Sequence, residues 1–426
     1  MLLKLLCSPL YRKSGCIINS MSYIIIENGY LVRNNKVTQG SLWICDGQIV
    51  EIVESEGTDS ISDRESDTVA QFNIADASGN CCHIDARGKF VAPGFIDIHV
   101  HGGGGYDFMD CTVEAFQKIT DIHLQNGTTT IVPTTVSSDI EHILKLIEVY
   151  KAAKPLCPSI HGLHLEGPYI SPHQKGAHKE KYLHSPNKEE TTRLLNAGAD
   201  VIKRITAAPE LDNMDEFTQV MCENGISLSV GHSDADSDIA KEAFENGFSH
   251  VTHLYSATPS VRKINQEVKG GVVEAAYLED YVTVELIADG KHAAKDALKL
   301  AVKIKGTDHV ALVTDALRPA GTDAVESWLG EKIPENRVII EDGVAKLPDR
   351  SSFAGSIATT GMLLKKGITH YGLSIPDTVK MLTETPARIL GLTDRGKLEK
   401  GYRADVVIFD TDYQVCGVML QGELVR

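Results

Sequence analysis

A chain of 426 residues, 42% hydrophobic and 23% charged, has the balance of a globular protein and is long enough for a barrel-sized domain of ~250 residues with a smaller one beside it, which excludes fibrous and disordered classes. Its formal net charge of -16 repels nucleic acid and anionic membranes, so an anionic ligand has to be met by a local group of cations. Nine cysteines, an odd number without CxxC spacing, predict a reduced, cytoplasmic setting, and no run approaches the ~20 apolar residues of a membrane span.

Residues 1–20 carry a short apolar run interrupted by Lys4, with no small-residue cleavage site behind it. They are expected to be an extension outside the fold rather than a signal or transit peptide, and Met21 is a candidate start of translation. From Ser22 to Val53 the runs YIIIENGYLV and SLWICDGQIVEIV, with Asn-Gly and Asp-Gly turn signals, predict a small antiparallel sheet. Glu54 to Asp67 is acidic and Ser-rich and predicts a solvated loop.

After Gly88 a buried strand opens in KFVAPGFIDIHVHG, and strand candidates then alternate with amphipathic helical stretches as far as Leu390. FIDIHV, TTIVPT, IHGLHLE, IKRITAA, ISLSVGH, HVTHLY, TVELIA and HVALVTDA make eight, a count that predicts an α/β fold closed as a (β/α)8 barrel over an open, doubly wound sheet. The GGGG at 102–105 follows the HVH and lacks the helix-opening continuation of a dinucleotide-binding GxGxxG. The stretch LSIPDTVKMLTETPARILGL reads as helical, with Ser374 as cap ahead of Pro376. The tail from GKLEKGYRADVVIFD returns to β-rich alternation and is expected to rejoin the N-terminal sheet.

The chemistry concentrates where these strands end. His99 and His101, at i, i+2 on a strand, project to one face and can converge on a cation. Two such histidines alone more often serve structure; here the apolar run leading into glycines favours ligation. Alternation likewise puts His164 and Glu166 on one face of IHGLHLEGP, and a carboxylate there is costly unless it is paired or bound to metal. His232 and His253 end two later strands. All five groups, His99, His101, Glu166, His232 and His253, fall near strand carboxyl ends, where an α/β barrel assembles its active site. Asp315 in ALVTDAL ends the last strand candidate; an isolated Asp there is as often a helix cap, but beside a metal it can take a proton from water and return it to a leaving amine.

Taken together, PGFIDIHVHG, HLEGP, KGAH, GHSDAD, THLYSA, IADGKH, VTDA and FAGS, in this order, resemble the N-acetylglucosamine-6-phosphate deacetylase branch of the amidohydrolase superfamily. The resemblance runs from about residue 22 to the C-terminus. It implies a barrel over 93–394, flanked by a small β-sandwich built from 21–92 and 395–426, as a homodimer acting on a small amino-sugar phosphate. It implies a divalent metal, zinc first with iron, cobalt or manganese as alternatives, held by Glu166, His232 and His253. With His99 and His101 retained, a second ion bridged through Glu166 is expected, so the count is one or two per subunit.

By the same resemblance Ala177 and His178 meet the acetamide, His292 meets the sugar phosphate, and Phe353, Ala354 and Gly355 line the sugar pocket. Ser256 and Ala257 stand where the family has Asn-Ala. The following TPSVRKINQEVKGG departs from the family's Arg-containing turn, which leaves Arg262 as the phosphate cation and Lys263 as its rival. The implied reaction is deacetylation of N-acetyl-D-glucosamine 6-phosphate by metal-bound hydroxide, with Asp315 as general base and acid, in amino-sugar catabolism. A deaminase or cyclic-amide hydrolase of the same superfamily, or a barrel scaffold without catalysis, are the alternatives; HLEGP, KGAH and DGKH are not required by the former, and the intact ligand set argues against the latter.

Overall fold

Turn chemistry sets the first sheet. Asn34 and Asn35, both with positive φ (50° and 57°), reverse the chain between strands Tyr23–Arg33 and Lys36–Cys45, and Asp46-Gly47 (48° and 76°) does so again before Gln48–Glu54. Asn28-Gly29, expected to be a turn, is a bulge within the first strand, where the register with its partner shifts between Ile26 and Gly29. A Cβ on Gly29 would lie 2.7 Å from Val91, so the close approach of the neighbouring strand explains the glycine.

The computed structural model describes residues 23–55, 72–74 and 81–426. The N-terminal extension, Met21 and the acidic stretch from residue 56 on lie outside the described residues. The strands above belong to a nine-stranded sheet that also contains Phe90–Pro93 and, from the far end of the chain, Val406–Phe409, Val415–Leu420 and Glu423–Leu424. Val406–Phe409 pairs antiparallel with Phe90–Pro93, so the two ends of the chain share one sheet, as the alternation in the tail had led one to expect. Ile26, Leu31, Leu42, Ile84, Val91, Val406 and Ile408 form its apolar core.

Each of the eight strand candidates overlaps a strand, HVTHLY only by His250 and Val251: β1 (Phe95–Val100), β2 (Thr128–Pro133), β3 (Leu163–Glu166), β4 (Ile202–Ala207), β5 (Ser227–Val230), β6 (Phe248–Val251), β7 (Thr283–Ile287) and β8 (Val310–Val313). From β3 to β8 they make one parallel sheet in chain order, and β1 and β2 pair parallel. Isolated parallel bridges Val100–Ala316, Ile131–Ile160 and Thr134–His164 join this pair to the segment after β8 and to β3. The strands are nearly all buried on both faces, as a parallel sheet covered by helices requires. On β1 the alternation sends Ile96 and Ile98 to a cluster with Ala387 of a covering helix, while Asp97 and His99 lie on the opposite face.

Helices follow the strands, started by side-chain caps at Thr112, Asp139, Asn187 and Asp236. Ser374 caps as expected, its hydroxyl accepting from Asp377 N at 3.1 Å, but the helical stretch it opens is two helices, Ile375–Leu382 and Glu384–Ile389. Pro386 has no N–H to continue the first into the second. A four-stranded antiparallel sheet, Glu326–Trp328, Arg337–Glu341, Val344–Lys346 and Phe353–Gly355, follows β8 and was not foreseen. Among the described residues no helix is long and apolar enough to cross a membrane.

Candidate metal centre

The carboxyl ends of β1, β3, β5, β6 and β8 bring together six side chains in two groups, His99 with His101 and Asp315, and Glu166 with His232 and His253. Within each group the ligand atoms lie within 4.8 Å of one another, and all six residues are buried. Glu166 divides its oxygens between them: Oε1 is 3.2 Å from His232 Nε2 and 3.0 Å from His253 Nε2, while Oε2 is 3.1 Å from His101 Nε2 and 3.4 Å from His99 Nε2. Asp315 Oδ1 is 3.1 Å from His101 Nε2. This is the geometry of a carboxylate able to bridge two cations.

The backs of the rings decide what their fronts can do. His232 Nδ1 is 2.8 Å from the carbonyl of Gln174 and His253 Nδ1 is 2.9 Å from that of Ser256. A carbonyl only accepts, so both Nδ1 atoms carry protons and both Nε2 atoms are free to ligate. His99 Nδ1 stands 2.6 Å from the Glu285 carboxylate, and its Nε2 is buried without a hydrogen-bond partner. Three imidazoles with this donor arrangement around shared carboxylates fit a divalent transition ion. His178 is oriented the other way: its Nδ1 accepts from the backbone N–H of Ser137 at 3.2 Å, so Nε2, 3.7 Å from Glu166, keeps the proton and is a donor.

Charge follows the same division. Burial opposes ionisation of His99, yet Glu166, Glu285 and Asp315 together hold its pKa well above 6.5; burial is likewise outweighed at His101, raised to about 9 by Asp315 and Glu166. Burial alone would raise Glu166, but the charge of His99 and hydrogen bonds from His101 and His178 hold it well below the usual range. Burial lowers His178 to about 4, so it is neutral at ordinary pH. The centre therefore attracts positive charge at His99 and His101 and keeps a neutral donor at His178.

Three of the six groups sit on strained backbone, with φ of 47° at His232, 30° at His253 and 47° at Asp315. A cavity of about 290 Å³ opens above them. His101, Glu166, His178, His232, His253 and Asp315 line it together with Ala177, Ser256, Ala257, His292, Phe353, Ala354 and Gly355, whereas His99 lies beneath. His292 Nδ1 is held 2.8 Å from Asp289, its Nε2 is without a partner, and its ring meets that of Phe353 at 4.9 Å. No lysine or arginine is among the described lining residues. Arg262 and Lys263 sit on the hairpin strand Arg262–Ile264, and Arg262 is turned to Asp234, 2.5 Å from its carboxylate and 2.6 Å from its carbonyl.

Sequence reasoning passed over the layer beneath. Asp97, fully buried, accepts from Thr314 Oγ1 at 2.5 Å, and burial pushes its pKa up to about 7. Glu285 and Arg204, in the strand candidates TVELIA and IKRITAA, form a buried pair at 2.6 Å. The rule applied to Glu166, that a charge inside an apolar strand needs a reason, would have found both. His164 belongs to this layer too, bonded to Thr206 at 2.7 Å with its ring edge-on to His99.

A parallel α/β sheet with buried histidines and carboxylates gathered at its carboxyl ends defines a class of hydrolase, and the amidohydrolase family model matches residues 90–425: the chain belongs to the amidohydrolase family. Within it the chain stands with the N-acetylglucosamine-6-phosphate deacetylases. It is 30% identical to that enzyme of Lysinibacillus sphaericus, over 91% of this chain and 94% of the other. It is also 30% identical to the N-acetylgalactosamine-6-phosphate deacetylase of Shewanella sp. (strain ANA-3), over 91% and 95%. A mutant N-acetyl-D-glucosamine-6-phosphate deacetylase from Mycobacterium smegmatis, solved in complex with N-acetyl-D-glucosamine-6-phosphate, superposes with a TM-score of 0.82 at 27% identity, covering 95% of this chain and 99% of that one.

Proposed function

We propose that the chain hydrolyses the acetamide of N-acetyl-D-glucosamine 6-phosphate, giving D-glucosamine 6-phosphate and acetate. The observation that carries this reading is the pairing of a shared carboxylate, Glu166, and metal-ready histidines with a neutral donor, His178, and a second carboxylate, Asp315, at the floor of one cavity. Glu166, His232 and His253 would hold one divalent ion, zinc by preference, and His99 and His101 a second that shares Glu166. When bound, such an ion supplies Lewis-acid polarisation of the carbonyl and a lowered pKa for water.

The remaining steps belong to side chains. Asp315 takes a proton from the attacking water and returns it to the amine nitrogen as the C–N bond breaks. His178 donates a hydrogen bond from its Nε2–H to the acetyl oxygen, where negative charge grows as the carbon becomes tetrahedral; a fixed donor in a buried site is most effective there. Ala177, Ser256, Ala257, Phe353, Ala354 and Gly355 wall the sugar. The phosphate falls to His292, a residue of the cavity lining whose Nε2 has no partner and whose Nδ1 is held by Asp289; Arg262 would join it only by leaving Asp234.

The eight parallel strands are read as a closed (β/α)8 barrel over 93–394, with the shared sheet of the two chain ends as part of a β-sandwich over 21–92 and 395–426. The cytoplasmic setting expected from the cysteines and the homodimer implied by the resemblance belong to the same reading. The test is a kinetic comparison of N-acetylglucosamine 6-phosphate, its galactosamine epimer and unphosphorylated N-acetylglucosamine, with metal counted in the same preparations. Acetate release that is fastest with the first substrate and depends on metal is expected. Ammonia release from cyclic amides or nucleobases without acetate would overturn the reading, and a metal-free protein inert even after metal addition would revive the scaffold.

A further inference from the structure

Behind the two ligand groups lies Glu285, 0% exposed, with its two oxygens assigned to different tasks. Oε1 accepts from His99 Nδ1 at 2.6 Å and from the backbone N–H of His253 at 3.3 Å. Oε2 faces Arg204, whose guanidinium nitrogen is 2.6 Å away, and His250 Nε2 at 3.1 Å. His250 is fixed in turn by Thr283 Oγ1 at 2.6 Å. One carboxylate thus touches the ring of a residue from one group and the backbone of a residue from the other. The backbone it holds is strained, at φ of 30°.

Stability does not explain the arrangement. Two fully buried charges give up their hydration, and an apolar pair of similar volume commonly serves folding as well or better. What the ion pair does accomplish is orientation. Arg204 and His250 pull on Oε2 and fix the plane of the carboxylate, which points Oε1 at His99 Nδ1. With one proton held there, Nε2, which faces Glu166 and Asp315, is the nitrogen left to ligate once a cation displaces its proton. The group behind an imidazole ligand sets its tautomer and ring angle, and removing such a group typically weakens metal binding by about 10–100-fold.

We propose that Glu285, braced by Arg204 and His250, is the positioning residue of the cation site formed by His99 and His101, and that it ties this site to the one containing His253. The proposal rests on reading the centre as able to hold two ions. Removing Glu285 alone would leave Arg204 charged and unpaired, so both test proteins carry Arg204→Met. Glu285→Leu/Arg204→Met has no acceptor for His99, whereas Glu285→Gln/Arg204→Met retains an amide oxygen that can accept from Nδ1.

Each full-length protein is loaded with zinc, dialysed, and its zinc counted and titrated, with melting of the metal-free form as a check on folding. The wild type is expected to retain two zinc ions, and the Gln/Met protein, which keeps the acceptor for His99 but lacks the Arg204 brace, to retain two with the second held less tightly than in the wild type. The Leu/Met protein should retain one, with the other weakened by about 10–100-fold. Equal zinc content and affinity in the Leu/Met and Gln/Met proteins would overturn the proposal. A wild type that binds a single zinc would overturn it while leaving the hydrolase reading intact; one that binds none would remove both. Should the Leu/Met protein fail to fold, NMR of the zinc-loaded wild type with labelled histidine decides: a strongly downfield Nδ1 proton that disappears in His99→Asn is expected, and its absence refutes the role.

Discussion

In the metal-free chain His101 lies between two carboxylates with only a proton to balance them, which makes the stability of that form depend on pH. Its pKa, 6.5 when unfolded, rises to about 9 in the fold, because the hydrogen bonds with Asp315 and Glu166 outweigh the opposing effect of burial. A group whose pKa is raised by folding contributes fully below its unfolded pKa and loses that contribution as pH rises through the folded one. The window is therefore pH 6.5 to about 9. At about 1.4 kcal/mol per pH unit, the loss is about 3 kcal/mol.

An unfolding entropy of about 2.1 cal/mol/K per residue, taken over the 426 residues, converts that into a fall in Tm of about 3–4 °C. Thermal melting of the metal-free protein across this window, beside the zinc-loaded protein, measures it. In the loaded protein the cation replaces the proton, so the fall should vanish, and zinc affinity should rise with pH as ligation releases protons. His101→Asn in the metal-free state should reduce the fall, leaving the part contributed by His99, which the same carboxylates raise. If that variant retains the fall in full, or if the metal-free and loaded curves run parallel, the electrostatic account of the centre is wrong.

Three substitutions divide the chemistry among side chains. Asp315→Asn should keep zinc at Glu166, His232 and His253 while kcat drops by about 10²–10⁴-fold, measured by acetate release; near-normal turnover would remove Asp315 from proton transfer. His178→Gln should lower kcat by about 10²–10³-fold with KM little changed, and a loss confined to KM would contradict its assignment to the carbonyl oxygen. His292→Asn should raise KM for the phosphorylated sugar by about 10–100-fold, the worth of a hydrogen bond to a charged group, and leave the unphosphorylated sugar unaffected. An equal effect on both sugars would separate His292 from the phosphate.

The parallel strands were legible because each is a short apolar run buried on both faces, bounded by turns, in alternation with helices. The antiparallel sheet from Glu326 to Gly355 was not, because its strands are three to five residues long and half exposed, with Val325 beside it 75% exposed, so no periodicity accumulates. Asn28-Gly29 misled for a related reason: the same left-handed preference that makes a hairpin turn also makes a bulge, and only the partner strand decides between them. The convergence of His99, His101, Glu166, His232, His253 and Asp315 could be read because a polar residue ending an apolar strand stands out. Arg262 shows the opposite case. Sequence identifies a cation near the right motif, but its partner is chosen in space, and Asp234 is the carboxylate the fold puts beside it. Glu285 and Arg204 come from β7 and β4, and neither announces its counter-charge along the chain.

The cost of this centre is carried before any ligand arrives. Left-handed backbone at His232, His253 and Asp315 costs about 1–3 kcal/mol at each. Asp97 and Glu285 are fully buried carboxyl groups in the layer beneath, and Glu166 is nearly so at the cavity floor. The surrounding strands hold these positions through ladder hydrogen bonds and through contacts such as Asp315 N to His99 O at 2.9 Å and Ser356 N to Asp315 O at 2.9 Å. Ligands fixed in this way have little left to rearrange when a cation enters, so its binding energy is not spent on ordering them. Protons at His99 and His101 occupy the same potential well in the cation's absence. On the proposed reading, proton and metal would compete for one preformed site, with the buried layer beneath, Glu285 between His99 and His253, holding it in place.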